Sequence, residues 1–326
     1  MISGGVGYLK PKGPFLLLAG LLLLILSACS TTAASGPPGE EKIAVVTTVY
    51  PLYDFARQVG GDKVEVTRLL PAGAEPHDWE PTPKDMVTLT RAKVFIYNGA
   101  GLEPWVQRQL GMLAGKGIKV VEASRGLDLI SGTPEHGHEH HKGEEKAGPA
   151  GVDPHVWLDP VLAQEMVRHI RDAFIAVDPD NASYYKSRAE EYMAKLQALD
   201  REYREAAQSF KSREFVTSHA AFGYLARRYG LQQVSVMGLS PESEPDPARM
   251  REIVAFCREH GVKYIFFETL VSSKISETLA QEVGAQTLVL NPIEGLTPEE
   301  ESRGENYLSI MRQNLANLKI ALGGKS

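Results

Sequence analysis

The chain has 326 residues, of which 43% are hydrophobic, and a formal net charge of −6 at pH 7. That length is enough for two lobes with substantial cores. The acidic balance argues against nucleic acid as a partner.

At the amino end, Lys10 and Lys12 precede an apolar run over 15–26, a stretch of 12 residues where a bilayer span needs about 20. Residues 1–28 therefore read as a secretory signal peptide. The ending Leu26-Ser-Ala-Cys29 resembles a bacterial lipobox, which implies cleavage before Cys29, diacylglycerol on its sulfur, and an extracytoplasmic protein lipid-anchored to the bacterial cell membrane. With Cys29 lipidated, Cys257 has no disulfide partner. It falls in step with Met250, Ile253 and Val254 and reads as buried helix core. Residues 29–41, small, polar and rich in Pro and Gly, read as a flexible tether.

From Lys42 onward, strand and helix signals alternate. Strands are expected at 43–48, 64–70, 94–97 and 119–122, with helices at 50–59, 82–92 and 103–113 between them, the βαβα pattern of a parallel sheet covered by helices. Residues 131–152 are too polar to order themselves and read as a mobile His-rich loop carrying His136, His138, His140 and His141. A helix follows over about 161–177, and Asp178-Pro-Asp-Asn181 separates it from the longest regular feature of the chain. Tyr185, Ala189, Tyr192, Leu196, Leu199, Tyr203, Ala206 and Phe210 form one apolar stripe at helical spacing, on a helix of about 27 residues and roughly 40 Å. Placed between two α/β halves, it suits a rigid connector over 181–211. The second half repeats the alternation: strand 214–217, helix 222–229, strand 233–237, a helix started by Asp246-Pro247, strand 262–267, a helix capped by Ser272 and running to Val283, and strand 286–290. The expected domains are an N-terminal lobe over 42–180 and a C-terminal lobe over 212–326.

Three histidines sit at strand-end loops or helix starts: His77, His155 and His219, separated by 78 and 64 residues. Imidazoles brought from distant loops to one point suit a borderline-soft divalent ion such as zinc, and the carboxyl ends of parallel strands are where open α/β sheets hold ligands. Glu294 and Glu268 also lie at strand ends. Glu75, Asp78, Glu80 and Asp159 are expected to hydrogen-bond within the loops or support the imidazoles; His169 and His260 read as structural residues within helices.

Five motifs in order, from Pro71-Ala-Gly-Ala-Glu-Pro-His77 through Asp85, Asp153-Pro-His-Val-Trp-Leu-Asp-Pro160, Ser218-His-Ala-Ala-Phe-Gly-Tyr224, Ile265-Phe-Phe-Glu268 with Val271-Ser-Ser273, and Leu290-Asn-Pro-Ile-Glu-Gly-Leu-Thr297, make the chain resemble the metal-binding group of ABC-transporter solute-binding proteins, the zinc and manganese uptake receptors. The resemblance implies an α/β fold of two lobes, each with a four-stranded parallel sheet and flanking helices, joined by the long helix. It implies one metal between the lobes, held by His77, His155, His219 and Glu294, and an ABC permease as partner of a monomeric receptor. Glu268 or water is the alternative to Glu294. Three imidazoles and one carboxylate suit tetrahedral Zn²⁺, whereas manganese favours more oxygen; manganese receptors of the family commonly carry a carboxylate where His219 stands. The alternatives are a manganese receptor of the same family, a secreted zinc hydrolase, which would need an open metal position and a general base, and a surface adhesin. No Gly-x-Ser-x-Gly nucleophile motif and no phosphate-binding Gly loop is present, so the chain is read as a receptor and not an enzyme.

Overall fold

The structure is a computed structural model that describes Met1 and residues 42–131, 151–241 and 247–324. The expected signal peptide beyond Met1, the tether, the histidines of the tract at 136–141, and Asp246 lie outside the described residues.

The first half contains strands β1 (Ile43–Thr47), β2 (Val64–Arg68), β3 (Val94–Tyr97) and β4 (Lys119–Glu122), with helices α1 (Tyr50–Gly60), α2 (Pro83–Thr90) and α3 (Pro104–Gly115) in the crossovers. After α4 (Pro160–Val177) and α5 (Ala182–Gln208), the second half contains β5 (Glu214–Thr217), α6 (Gly223–Tyr229), β6 (Gln232–Ser235), α7 (Pro247–Glu259), β7 (Tyr264–Phe267), α8 (Lys274–Val283), β8 (Gln286–Val289), α9 (Pro298–Ser302) and α10 (Tyr307–Leu322). The two sheets have the same topology, β2-β1-β3-β4 and β6-β5-β7-β8, and every pairing is parallel. Each sheet therefore has a switch point where its strand order reverses, and its carboxyl edge there is a natural ligand crevice.

Local chemistry sets the helix starts. Asp159 accepts from the backbone N–H of Val161 and Leu162 with Pro160 in the first turn of α4, and Thr82 forms a capping box with Asp85 ahead of α2; each satisfies amides that a helix leaves orphaned. Most boundaries shift from the sequence expectation by one or two residues, as at β2, which ends at Arg68, and β7, which begins at Tyr264. Helix α8 begins at Lys274 after Ser273, which makes no side-chain cap, and Ser272 reaches Lys274 N only at 3.4 Å. His260 follows the last residue of α7 instead of lying within it. Helix α10 was absent from the expected elements, although Asn306 caps it through a box with Ser309 and Tyr307, Ile310, Met311, Leu315 and Leu318 bury one face.

Helix α5 spans 27 residues and buries Tyr185, Ala189, Tyr192, Leu196, Leu199, Tyr203 and Ala206, the stripe read from the sequence apart from Phe210, which is buried just past its end. One core joins both halves along it, running from Val45, Leu52 and Phe55 to Phe215, Leu225, Leu290 and Leu318. Each sheet also has an outer core: Phe95, Trp105 and Leu113 under α2 and α3, and Val216, Ile253, Cys257 and Leu279 under α7 and α8. Interiors are close-packed and resist deformation, so a core shared across the two sheets fixes the edges that face each other. Among the described residues no helix is long and apolar enough to cross a membrane.

Candidate metal centre

The four side chains of the site arrive on four segments that follow strands β2, β4, β5 and β8. In the first, Gly73 takes φ 78°, open to glycine without a Cβ penalty, and donates its N–H to Leu296 O at 2.9 Å in the second half. Glu75 then accepts the N–H of His77 at 3.0 Å and that of Asp78. In the second segment, Asp153 Oδ1 accepts both the backbone N–H of His155 at 2.9 Å and its Nδ1 at 2.8 Å, which leaves Nε2 free to face inward. The Trp157 ring lies 5.5 Å from that of His155, and its indole N–H donates to Pro292 O at 2.7 Å, tying the His155 and Glu294 segments together.

His219 is held in the same manner from the other sheet. Glu268, at the end of β7, accepts the His219 N–H at 3.1 Å and sets its second carboxylate oxygen against Nδ1. Glu268 was weighed as a rival fourth ligand; it lies behind His219. Each lobe thus offers a carboxylate–imidazole pair with its Nε2 pointing into the space between them, the arrangement that fixes tautomer and raises donor strength in metal sites.

The three Nε2 atoms converge on one oxygen. Glu294 Oε1 lies 2.8 Å from His155, 3.1 Å from His77 and 3.6 Å from His219, and the His155 and His219 Nε2 atoms are 3.4 Å apart. One donor atom from each of the four lies within 4.8 Å of the others. A tetrahedron with metal–ligand bonds of about 2.0–2.2 Å has edges of about 3.3–3.6 Å; the His155–His219 and His219–Glu294 separations already match, those of Glu294 to His77 and His155 are shorter, and no pair exceeds 4.8 Å. His155, His219 and Glu294 are buried, whereas 11% of the His77 side chain is exposed against 0% for the other two imidazoles, which puts His77 on the solvent side.

Electrostatics favour a cation here. Burial alone would lower the His219 pKa, but the Glu268 charge and hydrogen bond, with Glu294, hold it up to about 10. Burial likewise works against His155, and the hydrogen bonds to Asp153 and Glu294 raise it. Burial would raise the Glu294 carboxyl, yet His155, His219 and His77 hold it well below the usual range. Carboxylates buried among imidazoles at one point form a negative, nitrogen-rich cage suited to a dication.

The remaining residues sort by contact. Asp159 caps α4 and pairs with Arg228 at 2.7 Å, and Glu80 pairs with Arg108 at 2.8 Å; neither supports an imidazole. Asp153 does, and it was missed. Its signal was the tripeptide Asp153-Pro-His155, which repeats Glu75-Pro-His77: in both, an acid two residues ahead accepts the His amide. His169 bonds Ala123 O at 2.9 Å and His260 stacks on Phe256, away from the site.

Comparison with known proteins agrees with this architecture. The family described as "ZnuA: Zinc-uptake complex component A periplasmic" matches residues 45–321. The high-affinity zinc uptake system protein ZnuA of Bacillus subtilis is 46% identical over 286 residues, covering 88% of this chain and 89% of that protein. The zinc-binding lipoprotein AdcA of Streptococcus pneumoniae is 43% identical over 278 residues, 85% of this chain but 55% of AdcA, so the chain spans about half of AdcA. The crystal structure of the Zn(II)-bound ZnuA-like domain of AdcA superposes with a TM-score of 0.74 at 41% identity, covering 86% of this chain and 99% of that one. With nearly the whole folded part matched, the chain belongs to the ZnuA family of zinc-uptake components.

Proposed function

We propose that this protein is the extracytoplasmic receptor of a high-affinity zinc ABC importer, a transport receptor and not an enzyme, which takes one Zn²⁺ as cargo between its lobes and delivers it to a permease. His77, His155, His219 and Glu294 are the proposed ligands. The observation carrying the reading is the convergence of three imidazole Nε2 atoms on one buried carboxylate oxygen. A catalytic zinc keeps an open coordination position; here Glu294 fills the fourth, and a cargo site gains affinity from that. The nitrogen-rich set favours zinc over manganese. The lipobox-like Leu26-Ser-Ala-Cys29 supports residues 1–28 as signal peptide and lipid on Cys29 as membrane anchor, with 29–41 as tether.

The test of the ligand set compares Glu294→Gln with Glu268→Gln by zinc competition against a chromophoric chelator. Glu294→Gln removes a charged donor from the ion and is expected to weaken binding by about 100-fold, while Glu268→Gln weakens it by about 10-fold through a loosened His219. Loss in the Glu268 variant alone would contradict Glu294 as the fourth ligand. His136, His138, His140 and His141 are proposed as auxiliary, weaker metal sites. Deleting residues 135–146 is expected to remove weak zinc equivalents in calorimetric titration and to keep one tight equivalent; losing the tight one would place a ligand in the tract.

A further inference from the structure

The residue just ahead of Glu294 is in a conformation that its side chain disfavours. Ile293 has φ 61° and is fully buried; a β-branched residue in the left-handed region is a genuine outlier, and such strain persists only where the surroundings over-determine it. The surroundings are a closed amide network. Asn314 Oδ1 accepts the backbone N–H of Asn291 at 2.8 Å, and Asn314 Nδ2 donates to Asn291 O at 2.7 Å. Asn291 Oδ1 accepts the Ile293 N–H at 2.7 Å, and Asn291 Nδ2 donates to Glu300 Oε1 at 3.0 Å. Every amide oxygen accepts and every amide nitrogen donates, so the Asn314 side chain clamps the Asn291 backbone while the Asn291 side chain holds Ile293 N–H.

Asn314 is an unusual residue for its place. It lies 1% exposed on the buried face of α10, where the stripe of Ile310, Met311, Leu315 and Leu318 asks for an apolar side chain. A buried amide costs free energy unless fully bonded, and here its bonds go to the turn that carries Glu294. We infer that Asn314 is a positioning residue for the metal site: through Asn291 it holds Ile293 in the left-handed turn that aims the Glu294 carboxylate at the three imidazoles. Tyr50 N–H, bonding Glu294 O at 3.1 Å, and Trp157, bonding Pro292 O, hold the same segment from the first half. Released from Asn314, Ile293 relaxes to negative φ and the carboxylate turns away from the point where the Nε2 atoms meet. The inference rests on Glu294 being a ligand.

The experiment is a double-mutant cycle on the full chain, reading zinc affinity by chelator competition and apo folding by circular dichroism and melting. Asn314→Ala is expected to weaken zinc by about 10-fold or more, the usual scale for removing a group that orients a ligand. In an Ile293→Gly background the same change should cost less than about 3-fold, because glycine reaches positive φ without help. A purely structural Asn314 would lower the melting temperature with no such coupling. Wild-type affinity in Asn314→Ala, or equal losses in both backgrounds, overturns the inference. If Asn314→Ala does not fold, Glu300→Ala removes the acceptor of Asn291 Nδ2 one bond further out and should show a smaller loss in the same direction; unchanged affinity there overturns it as well. Glu294→Gln run in parallel separates the two ideas. If it binds zinc as the wild type does, the ligand assignment fails and takes this inference with it; if it loses affinity and Asn314→Ala does not, only the positioning role fails.

Discussion

His219→Ala is expected to lower zinc affinity by about 100–1000-fold, and His77→Ala by about 10-fold less than that. Apparent zinc binding in four-ligand sites is worth roughly 10–16 kcal/mol, so one ligand accounts for about 3–4 kcal/mol, or two to three powers of ten. His219 is held by Glu268 at both its backbone amide and Nδ1, and its loss also leaves Glu268 and Glu294 buried without the imidazole between them, which costs stability. His77 lies on the solvent side of the cage, and the carboxylate beside it, Glu75, accepts its backbone N–H, so water can take its place at lower cost. Chelator competition on the single variants measures the order. Equal losses at His77 and His219 would mean that the carboxylate–imidazole pairs add nothing to metal capture.

Zinc at about 1000 times its dissociation constant is expected to stabilise the folded protein by about 4 kcal/mol, a rise of roughly 7 °C in melting temperature for a chain of this size. The increment should grow with pH. The His219 pKa, raised from 6.5 to about 10, means that the folded apo-protein keeps a proton that the unfolded chain sheds. That contribution to apo stability is fully present below about pH 6.5 and is lost as the pH rises toward 10. Zinc must displace the proton to reach Nε2, so each proton released makes apparent affinity rise about tenfold per pH unit. Melts with and without zinc at pH 6, 7 and 8 test this. An increment that does not change with pH would argue against histidine ligation.

Most of the fold was legible because its period is strong: buried four-residue runs such as Val94–Tyr97 alternate with amphipathic helices, and the α5 stripe continues for about six turns. Helix α10 was readable by the same rule, yet Asn314 sits in the middle of its apolar face and Ser309, in place of Glu or Gln, completes its capping box. Both departures weaken the periodic signal. The second of the two acid-Pro-His turns was passed over as a support for its imidazole, since an acid two residues before a histidine is common and becomes informative only when Nδ1 is seen bonded to it. What the sequence could not give is direction. Glu268 and Glu294 both stand at strand ends, and only the three-dimensional arrangement puts one behind an imidazole and the other among three. The strained φ at Ile293 leaves no mark in composition or spacing.

The most direct test of zinc as cargo is metal analysis of the purified protein after equilibration with equimolar zinc and about a hundredfold excess of manganese, a ratio set to expose donor preference over supply. The nitrogen-rich cage predicts one zinc per chain, retained through gel filtration and lost when His77, His155 and His219 are all replaced by alanine. Manganese in place of zinc, or one tightly held zinc persisting without the three histidines, would contradict the account.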